Sequence, residues 1–168
     1  LMLHEMPKKS THVERLEGYA ESALRLYKVG LDDTLMVISN SGRNNVPVEM
    51  CLEAKKVGAK VIAITSLQHA KQQASRHKSG RRIHEIADVV IDNHAEKGDA
   101  AYYVPGFDIP TGPTSDITGT AIAQAIIVKT IENLVQAGHV PPVFKSSNLD
   151  GADEYNEQLF DQYYGYFK

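Results

Sequence analysis

The stretch that decides the fold is TLMVISNSGRNNVPV, residues 34–48. Its first part, residues 34–39, has the length and apolar composition of a strand that is buried on both faces of a parallel sheet. The polar residues 40–45 predict a loop, and Pro47 favours the first turn of a helix, where its missing N–H is not needed. The free N–H groups and partial positive charge of a helix N-terminus suit an anion. A polar turn without a ligand would need the same small residues, so both interpretations stay open.

A second strand follows the predicted loop and helix. The helix covers residues 48–57 and ends at Gly58, and the run KVIAIT, residues 60–65, predicts another buried strand. Strand, helix and strand form one βαβ unit with a right-handed crossover. Thr65 and Ser66 then lie at the carboxyl end of the second strand, on the same edge as the loop. Because open α/β sheets bind ligands at this edge, the two hydroxyl-bearing residues favour a binding site.

The flanking sequence predicts further helices and strands. Apolar residues recur at helical spacing over residues 11–28, where Thr11 and Glu14 have the spacing of a capping box. The run DVVID, residues 88–92, predicts a third strand. The apolar composition of residues 117–137 predicts a long helix that is buried on more than one side, in the core or at a subunit interface. Shorter elements are predicted as a helical turn at residues 83–87, a strand at 101–104 and a helix at 154–164.

Composition and charge exclude several classes of protein. The 168 residues fit one domain with a sizeable core. The net charge of -3 argues against nucleic acid or an anionic membrane as the main partner. No apolar run is long enough to cross a membrane. The single cysteine, Cys51, lies on the apolar face of a predicted helix, so we expect a packed thiol, and a lone cysteine fits the reducing cytoplasm.

Motifs for the common nucleotide and metal sites are missing. The loop S-N-S-G-R-N lacks the G-x-G-x-x-G of a dinucleotide site, and the second strand ends without the acidic residue that would bind a ribose. A P-loop requires G-K-[ST], which is absent as well. Four of the seven histidines lie in one region, at positions 69, 77, 84 and 94, without close pairing or nearby cysteines, so we expect no metal and no cofactor. What remains is a set of hydroxyl, amide and backbone N–H groups suited to one phosphate monoester and a polyol.

The motif S-N-S-G-R-N, residues 39–44, resembles the S-x-S-G-x-T signature of the SIS (sugar isomerase) domains. The resemblance covers nearly the whole chain and is closest to bacterial SIS proteins that are either uncharacterised or described as phosphoheptose isomerases. It implies a three-layer α/β/α sandwich with a parallel, flavodoxin-like or Rossmann-like open sheet. Family members carry an earlier strand with a glycine-rich serine loop, so we expect the N-terminal helices and first strand to be missing here. The expected organisation is one partial SIS-type domain over residues 1–168, with a core at 11–137 and an extension at 138–168.

The residues and the resemblance together predict where a sugar phosphate binds. The predicted contacts are Ser39, Asn40, Ser41, Gly42, Arg43, Asn44, Thr65 and Ser66. Asn44 stands where many members of the family have Thr, so an amide would replace that hydroxyl contact. A second anion contact is expected in residues 75–80, through Ser75, Arg76 and Ser79. A solvated basic loop is the alternative for this segment.

The function stays open between an enzyme and a binding module. An aldose–ketose isomerase of the phosphoheptose type needs a base, for which Glu14 and Glu17 are the candidates. Capping explains Glu14 equally well, and an exposed helix face explains Glu17. The family's histidine on the late helix is absent from residues 117–137, which favours a phosphosugar sensor without turnover. The resemblance also implies a homodimer or tetramer in the cytoplasm, and an assembly domain without a ligand is the third possibility.

Overall fold

The computed structural model describes residues 6–164. The first two thirds of this range contain all the strands together with short helices, and two longer helices follow. The elements are α1 (Pro7–Val13), α2 (Tyr19–Leu26), β1 (Thr34–Ile38), α3 (Asn45–Lys56), β2 (Lys60–Thr65), α4 (Leu67–Lys71), a 3-10 turn (Ile83–Glu85), β3 (Val89–Asp92), β4 (Ala100–Tyr102), β5 (Thr111–Pro113), α5 (Ser115–Gln136) and α6 (Ala152–Tyr164).

Strands β1, β2 and β3 form a parallel sheet in that order. Thr34 pairs with Lys60, and Ile62 pairs with Val89, so the three strands end at one common edge. Strands β4 and β5 form a separate antiparallel pair. The prediction of an α/β fold with an open parallel sheet is therefore confirmed. The predicted bounds of β2 are also confirmed, because a continuous apolar run marks a strand that is covered on both faces.

Helix α3 packs against β1 and β2, and α2 packs against α3. Val48, Cys51 and Ala54 follow one another at helical spacing and are buried in the cluster that also contains Val61 and Ala63. Burial raises the pKa of the Cys51 thiol to about 12, because the thiolate would lose its solvation. The prediction that Cys51 is a packed thiol is confirmed.

The prediction of a single helix over residues 11–28 is wrong. Thr11 lies inside α1, which starts at Pro7, so Thr11 does not cap a helix. The next helix begins after Gly18, whose φ of +78 is left-handed and interrupts the helical path. The expected capping box between Thr11 and Glu14 does not form. Instead, residues 14–18 link α1 to α2.

The α1–α2 link, residues 14–18, is held by the first turns of α3. Val46 donates its N–H to the carbonyl oxygen of Glu14 at 3.0 Å. Asn45 donates its side-chain Nδ2 to the carbonyl oxygen of Arg15 at 2.7 Å. The Gly18 N–H donates to both carboxylate oxygens of Glu49, at 3.0 and 2.9 Å. These contacts occupy backbone groups that a continuous helix would have used, which is the physical reason for the break.

Two short elements were not predicted, and α5 is less buried than expected. Helix α4 begins after Ser66, whose Oγ accepts the His69 N–H at 3.2 Å and caps the helix. Strand β5 arises from the turn-rich residues TGP through its pairing with β4. In the described chain, Gly119 is the buried residue of α5. Of the two predicted environments for this helix, the core is therefore wrong, and the subunit interface stays a prediction.

The chain divides into two compact units, Leu1–Ala123 and Gln124–Lys168. The first contains the parallel sheet with α1 to α4, and the second contains the end of α5 and α6. The boundary falls inside α5, as the residue bounds of that helix show. The organisation as one SIS-type domain with a core at 11–137 and an extension at 138–168 stays a prediction.

The contact between Glu49 and the α1–α2 link makes a testable contribution to stability. We expect Glu49→Ala to lower the free energy of unfolding by about 1–3 kcal/mol, because the Gly18 N–H would lose its acceptor in a partly buried position. Urea unfolding followed by circular dichroism measures this change. Glu21→Ala is the control, since Glu21 forms an exposed ion pair with Arg25 on α2 and should change stability by less than about 1 kcal/mol. Equal losses in the two variants would contradict the anchoring role of Glu49.

Candidate functional site

The loop after β1 begins with a tight turn around Gly42. Ser39 continues the parallel ladder by donating its N–H to the carbonyl oxygen of Ile64 at 3.0 Å. The Ser39 Oγ accepts the Gly42 N–H at 3.2 Å, which closes the turn. Gly42 has a φ of +59, and its carbonyl oxygen accepts the Ile83 N–H at 3.0 Å. The loop is thereby fixed against the 3-10 turn on one side and β2 on the other.

The ends of β1 and β2 meet at the same edge, as the sequence predicted. The Thr65 hydroxyl donates to the carbonyl oxygen of Asn40 at 3.0 Å, and the Ser66 N–H donates to the same oxygen at 3.1 Å. Asn93, which follows β3, donates its Nδ2 to the Asn40 side-chain oxygen at 3.3 Å. The Ser66 Oγ donates to the carbonyl oxygen of Ala95 at 2.7 Å. Thr65 and Ser66 are fully buried. The Thr65 hydroxyl and the Ser66 N–H hold the loop in place, and the contact of either residue with a ligand stays a prediction.

Helix α3 begins with an unusual pattern of backbone donors. Asn44 is its N-cap residue, but its side chain accepts no bond from the first turn. The second N–H of the helix, from Val46, is used by Glu14, and Pro47 has no N–H to offer. The Asn44 Oδ1 accepts instead from the Arg76 guanidinium, at 2.7 Å. A residue that normally caps a helix thus holds a cation beside the helix N-terminus.

Several donors at this helix terminus have no acceptor within residues 6–164. They are the backbone N–H groups of Ser41, Arg43, Asn44 and Asn45, together with the Ser41 hydroxyl. Such groups need acceptors, because a helix N-terminus leaves its first N–H groups without partners in the helix. Several N–H groups beside a hydroxyl at the positive end of a helix can bind the oxygens of a phosphate group.

The predicted second anion contact divides into two parts. Ser75 and Ser79 order their own loop: the Ser75 Oγ donates to the carbonyl oxygen of Arg81 at 2.7 Å, and the Ser79 Oγ accepts the Arg81 N–H at 3.2 Å. The Arg76 side chain binds Asn44 at the start of α3, and the Arg76 backbone N–H donates to the carbonyl oxygen of Arg43, in the loop after β1, at 2.9 Å. The structure therefore brings Arg76 to the predicted phosphate loop.

Two neighbouring arginines act on the Arg76 guanidinium. The pKa of Arg76 is lowered, first by its loss of hydration and then by the positive charges of Arg43 and Arg15. Glu14 acts in the opposite direction and raises the pKa of Arg76. Arg43 donates an Nη1 hydrogen to the Gln73 Oε1 at 2.7 Å, whereas its buried Nε has no acceptor in the described chain. The Oδ1 of the buried Asn45 has no donor in the same range.

The two predicted base candidates occupy different environments. Glu14 is the residue that ends α1, and its charge acts on Arg76, so it lies near the start of α3. Glu17 is exposed and forms an ion pair with Lys78, with 3.6 Å between the charged atoms. No catalytic role follows from either placement alone, and both assignments stay predictions.

Sequence reasoning did not find a buried pair formed by Glu49 and His77. Both residues are less than a tenth exposed, and the His77 Nε2 lies 3.9 Å from a carboxylate oxygen of Glu49. The Ser79 N–H donates to the His77 Nδ1 at 3.1 Å, which assigns the ring proton of a neutral imidazole to Nε2, facing Glu49. Glu49, His77 and Gly18 line an open cavity of about 620 Å³ between α2 and α3. The available signal was the position of Glu49, because a carboxylate beside Val48 and four residues after Asn45 lies near the apolar face of the helix.

The described residues contain neither a metal-binding cluster nor a helix that could cross a membrane. Within residues 6–164, no cluster of three or more His, Cys, Asp or Glu side chains has the arrangement of a metal site. None of the helices in the same range combines the length and apolarity that crossing a membrane requires.

Comparison with known proteins identifies the family. The SIS domain profile matches residues 1–66, which include β1, the phosphate loop candidate and β2. A UPF0309 protein of Halalkalibacterium halodurans is 55% identical over 163 residues, which cover 97% of this chain and 67% of the relative. The chain belongs to the UPF0309 family of SIS-domain proteins.

Other UPF0309 proteins show the same extent of similarity. A relative from Geobacillus thermodenitrificans is 44% identical, and one from Listeria innocua is 45% identical, each over 97% of this chain and 66% of the relative. This SIS domain chain thus spans about two thirds of the length of the relatives. The SIS domain supports phosphosugar binding at the level of the family, while the name UPF0309 states no activity.

The turn at Gly42 provides a test of the loop geometry in this SIS domain protein. A Cβ at Gly42 would lie 2.8 Å from the Ile83 Cγ1, and one at Gly80, also left-handed, would meet nothing within 4 Å. We expect Gly80→Ala to cost about 1–2 kcal/mol for the backbone conformation. Gly42→Ala should cost about 1–3 kcal/mol more, because the overlap with Ile83 adds to the same strain. Urea unfolding compares the two variants, and a smaller loss in Gly42→Ala would contradict the tight fit of the loop.

Proposed function

We propose that this protein binds a sugar phosphate at the N-terminus of α3. The observation that carries the proposal is the group of donors without acceptors in the described chain: the Ser41 hydroxyl and the N–H groups of Ser41, Arg43, Asn44 and Asn45. These donors would bind the phosphate oxygens, as helix N-termini commonly do. The family match over this loop supports the same ligand class.

The remaining predicted residues would act mainly through the shape of the loop. Ser39 closes the turn at Gly42, and Thr65 and Ser66 hold Asn40, so we assign these residues the task of placing the donors. The Asn44 amide would contribute through Arg76, which it binds. Ser41 is the residue whose side chain we expect to touch the phosphate directly.

An aldose–ketose isomerase is the enzymatic form of this proposal. A carboxylate would remove the proton from C2 of an aldose phosphate and return it to C1, while a proton moves from the C2 hydroxyl to the carbonyl oxygen at C1. General base catalysis of this kind contributes about 10²–10⁴-fold to the rate. Glu14 is a better candidate for the base than Glu17, because Glu14 acts on Arg76 at the start of α3, whereas Glu17 pairs with Lys78.

A sensor of phosphosugars is the alternative form. Helix α5 contains no histidine, so it does not supply the second catalytic group that the resemblance to phosphoheptose isomerases implies. Binding without turnover requires the phosphate loop but no proton transfer. The two forms therefore share one binding site and differ in whether the bound sugar is converted.

Calorimetry with aldose and ketose phosphates of five to seven carbons tests the binding site. We expect Ser41→Ala to weaken the binding of the tightest ligand by about tenfold, because one hydroxyl contact with a charged group is lost. Incubation of the wild-type chain with the same ligands, followed by chromatography of the sugars, shows whether an aldose phosphate becomes a ketose phosphate.

Ser22→Ala is the matched control, since Ser22 is an exposed serine on α2. Its affinity should equal that of the wild type. Unchanged affinity in Ser41→Ala would remove the loop as the phosphate site. Binding without any conversion would support the sensor and exclude the isomerase for the ligands examined.

We further propose that the protein forms a homodimer or tetramer through α5. Within the second compact unit, Val128 and Val135 lie seven residues apart on the helix and are 62% and 57% exposed. Exposed apolar side chains at this spacing form a stripe on one face that another helix can cover. The cytoplasmic location stays a prediction.

Light scattering on the purified chain tests the assembly. We expect a mass of two or four chains for the wild type and a shift towards one chain for Val128→Asp, because a charge would lie in an apolar contact. Asn133→Asp adds a charge at an exposed polar position of α5 and should leave the mass unchanged. A wild-type mass of one chain, or an unchanged mass for Val128→Asp, would contradict the proposed contact.

A further inference from the structure

Positive charge gathers around the N-terminus of α3 from three separate segments. Arg15 belongs to the α1–α2 link, and its carbonyl oxygen accepts a hydrogen bond from the Asn45 side chain. Arg43 belongs to the loop after β1. Arg76 comes from the loop before the 3-10 turn and binds both the Arg43 carbonyl oxygen and the Asn44 side chain. We call Arg15, Arg43 and Arg76 the arginine cluster.

This arrangement is unfavourable for the protein without a ligand. A helix N-terminus carries about half a positive charge, so cations beside it are repelled. Arg43 and Arg15 also repel the Arg76 guanidinium, whose pKa is lowered first by its loss of hydration and then by these two charges. Glu14 is the carboxylate that offsets this effect on Arg76. Strained electrostatics of this kind is typical of functional sites.

Several donors of the arginine cluster remain available. Each guanidinium has five N–H groups. Arg76 uses one Nη1 hydrogen to bind Asn44, and Arg43 uses one Nη1 hydrogen to bind Gln73. The Nε of Arg43 is buried and has no acceptor among the described residues. An anion at the start of α3 would supply acceptors to this cluster and to the free N–H groups of the helix.

We infer that the arginine cluster makes the site selective for a dianionic phosphate monoester over a singly charged ester of the same sugar. The inference rests on the proposed function, because it concerns the same binding site. Three guanidinium groups against the carboxylate of Glu14 leave an excess of two positive charges. A phosphate monoester at neutral pH carries close to two negative charges. A sulfate monoester has the same shape but one negative charge, so it matches the cluster less well.

Asn44 and Arg76 explain how the selectivity is built. Guanidinium groups bind phosphate oxygens in pairs of parallel hydrogen bonds, which gives direction as well as charge. The bond to the Asn44 Oδ1 holds the Arg76 guanidinium beside the N-cap, so the arginine is a specificity-determining residue placed by the loop itself. The α1–α2 link brings Arg15 to the same position through the bond between its carbonyl oxygen and Asn45.

Calorimetry with glucose 6-phosphate and glucose 6-sulfate at pH 7.5 tests the inference. We expect the wild-type chain to bind the phosphate at least tenfold more tightly than the sulfate. Arg76→Gln and Arg15→Gln should each weaken phosphate binding by about tenfold and sulfate binding much less, because the lost charge matters more for a dianion. Arg76→Lys should retain most of the preference, since it keeps the charge.

Arg25→Gln is the matched control, because Arg25 is an exposed arginine on α2 that pairs with Glu21. Its two affinities should equal those of the wild type. Thermal unfolding of each variant establishes that it is folded, and Arg15→Gln tests the inference independently of Arg76.

The outcomes separate the inference from the proposed function. An unchanged ratio of phosphate to sulfate affinity in Arg76→Gln and Arg15→Gln, with binding weakened about tenfold in Ser41→Ala, would overturn the role of the arginine cluster and leave the phosphate loop in place. Equal wild-type affinities for the two esters would also overturn it. Unchanged affinity in Ser41→Ala, or no binding of either ester by the wild type, would remove the binding site and the inference together.

Discussion

The left-handed turn at Gly42 is the constraint on which the carboxyl edge of the sheet depends. Without a Cβ, this residue leaves room for Ile83 and Thr65 to approach the backbone closely. Its carbonyl oxygen then accepts the Ile83 N–H, so the 3-10 turn is fixed against the loop. The segment before that turn is drawn to the same place, and Arg43 accepts a hydrogen bond from Arg76. One small residue therefore allows three segments to meet at the start of α3.

The same helix start determines the course of the N-terminal segment. Val46 and Asn45 donate to the carbonyl oxygens of residues 14 and 15, and Glu49 accepts the Gly18 N–H. Backbone groups that would have continued a helix are used across the interface with α3, so α1 and α2 remain separate. This arrangement places several cations at the positive end of a helix, which is electrostatically unfavourable. That charge pattern has a physical explanation if the site receives an anion.

Sequence patterns predicted well where burial decides the structure. The apolar run of β2 predicted its bounds, and the place of Cys51 on the apolar face of a helix predicted the packed thiol, because apolar side chains report the buried face directly. The helical spacing of apolar residues wrongly predicted one helix over residues 11–28, because tertiary hydrogen bonds interrupt the helix there without changing that spacing. It also overestimated the burial of α5, since an apolar composition does not show whether the covering surface belongs to the same unit.

The sequence by itself determined the order of the parallel strands along the chain, the loop at their common edge and the hydroxyl residues that end β1 and β2. These features follow from local composition and from the fixed handedness of βαβ units. Only the tertiary structure decided that Arg76 binds Asn44, that Asn45 binds the backbone of Arg15, and that Glu49 lies beside His77. These partners are 28 to 32 residues apart. Contacts at such separations depend on how helices and loops pack, which no local pattern of residues specifies.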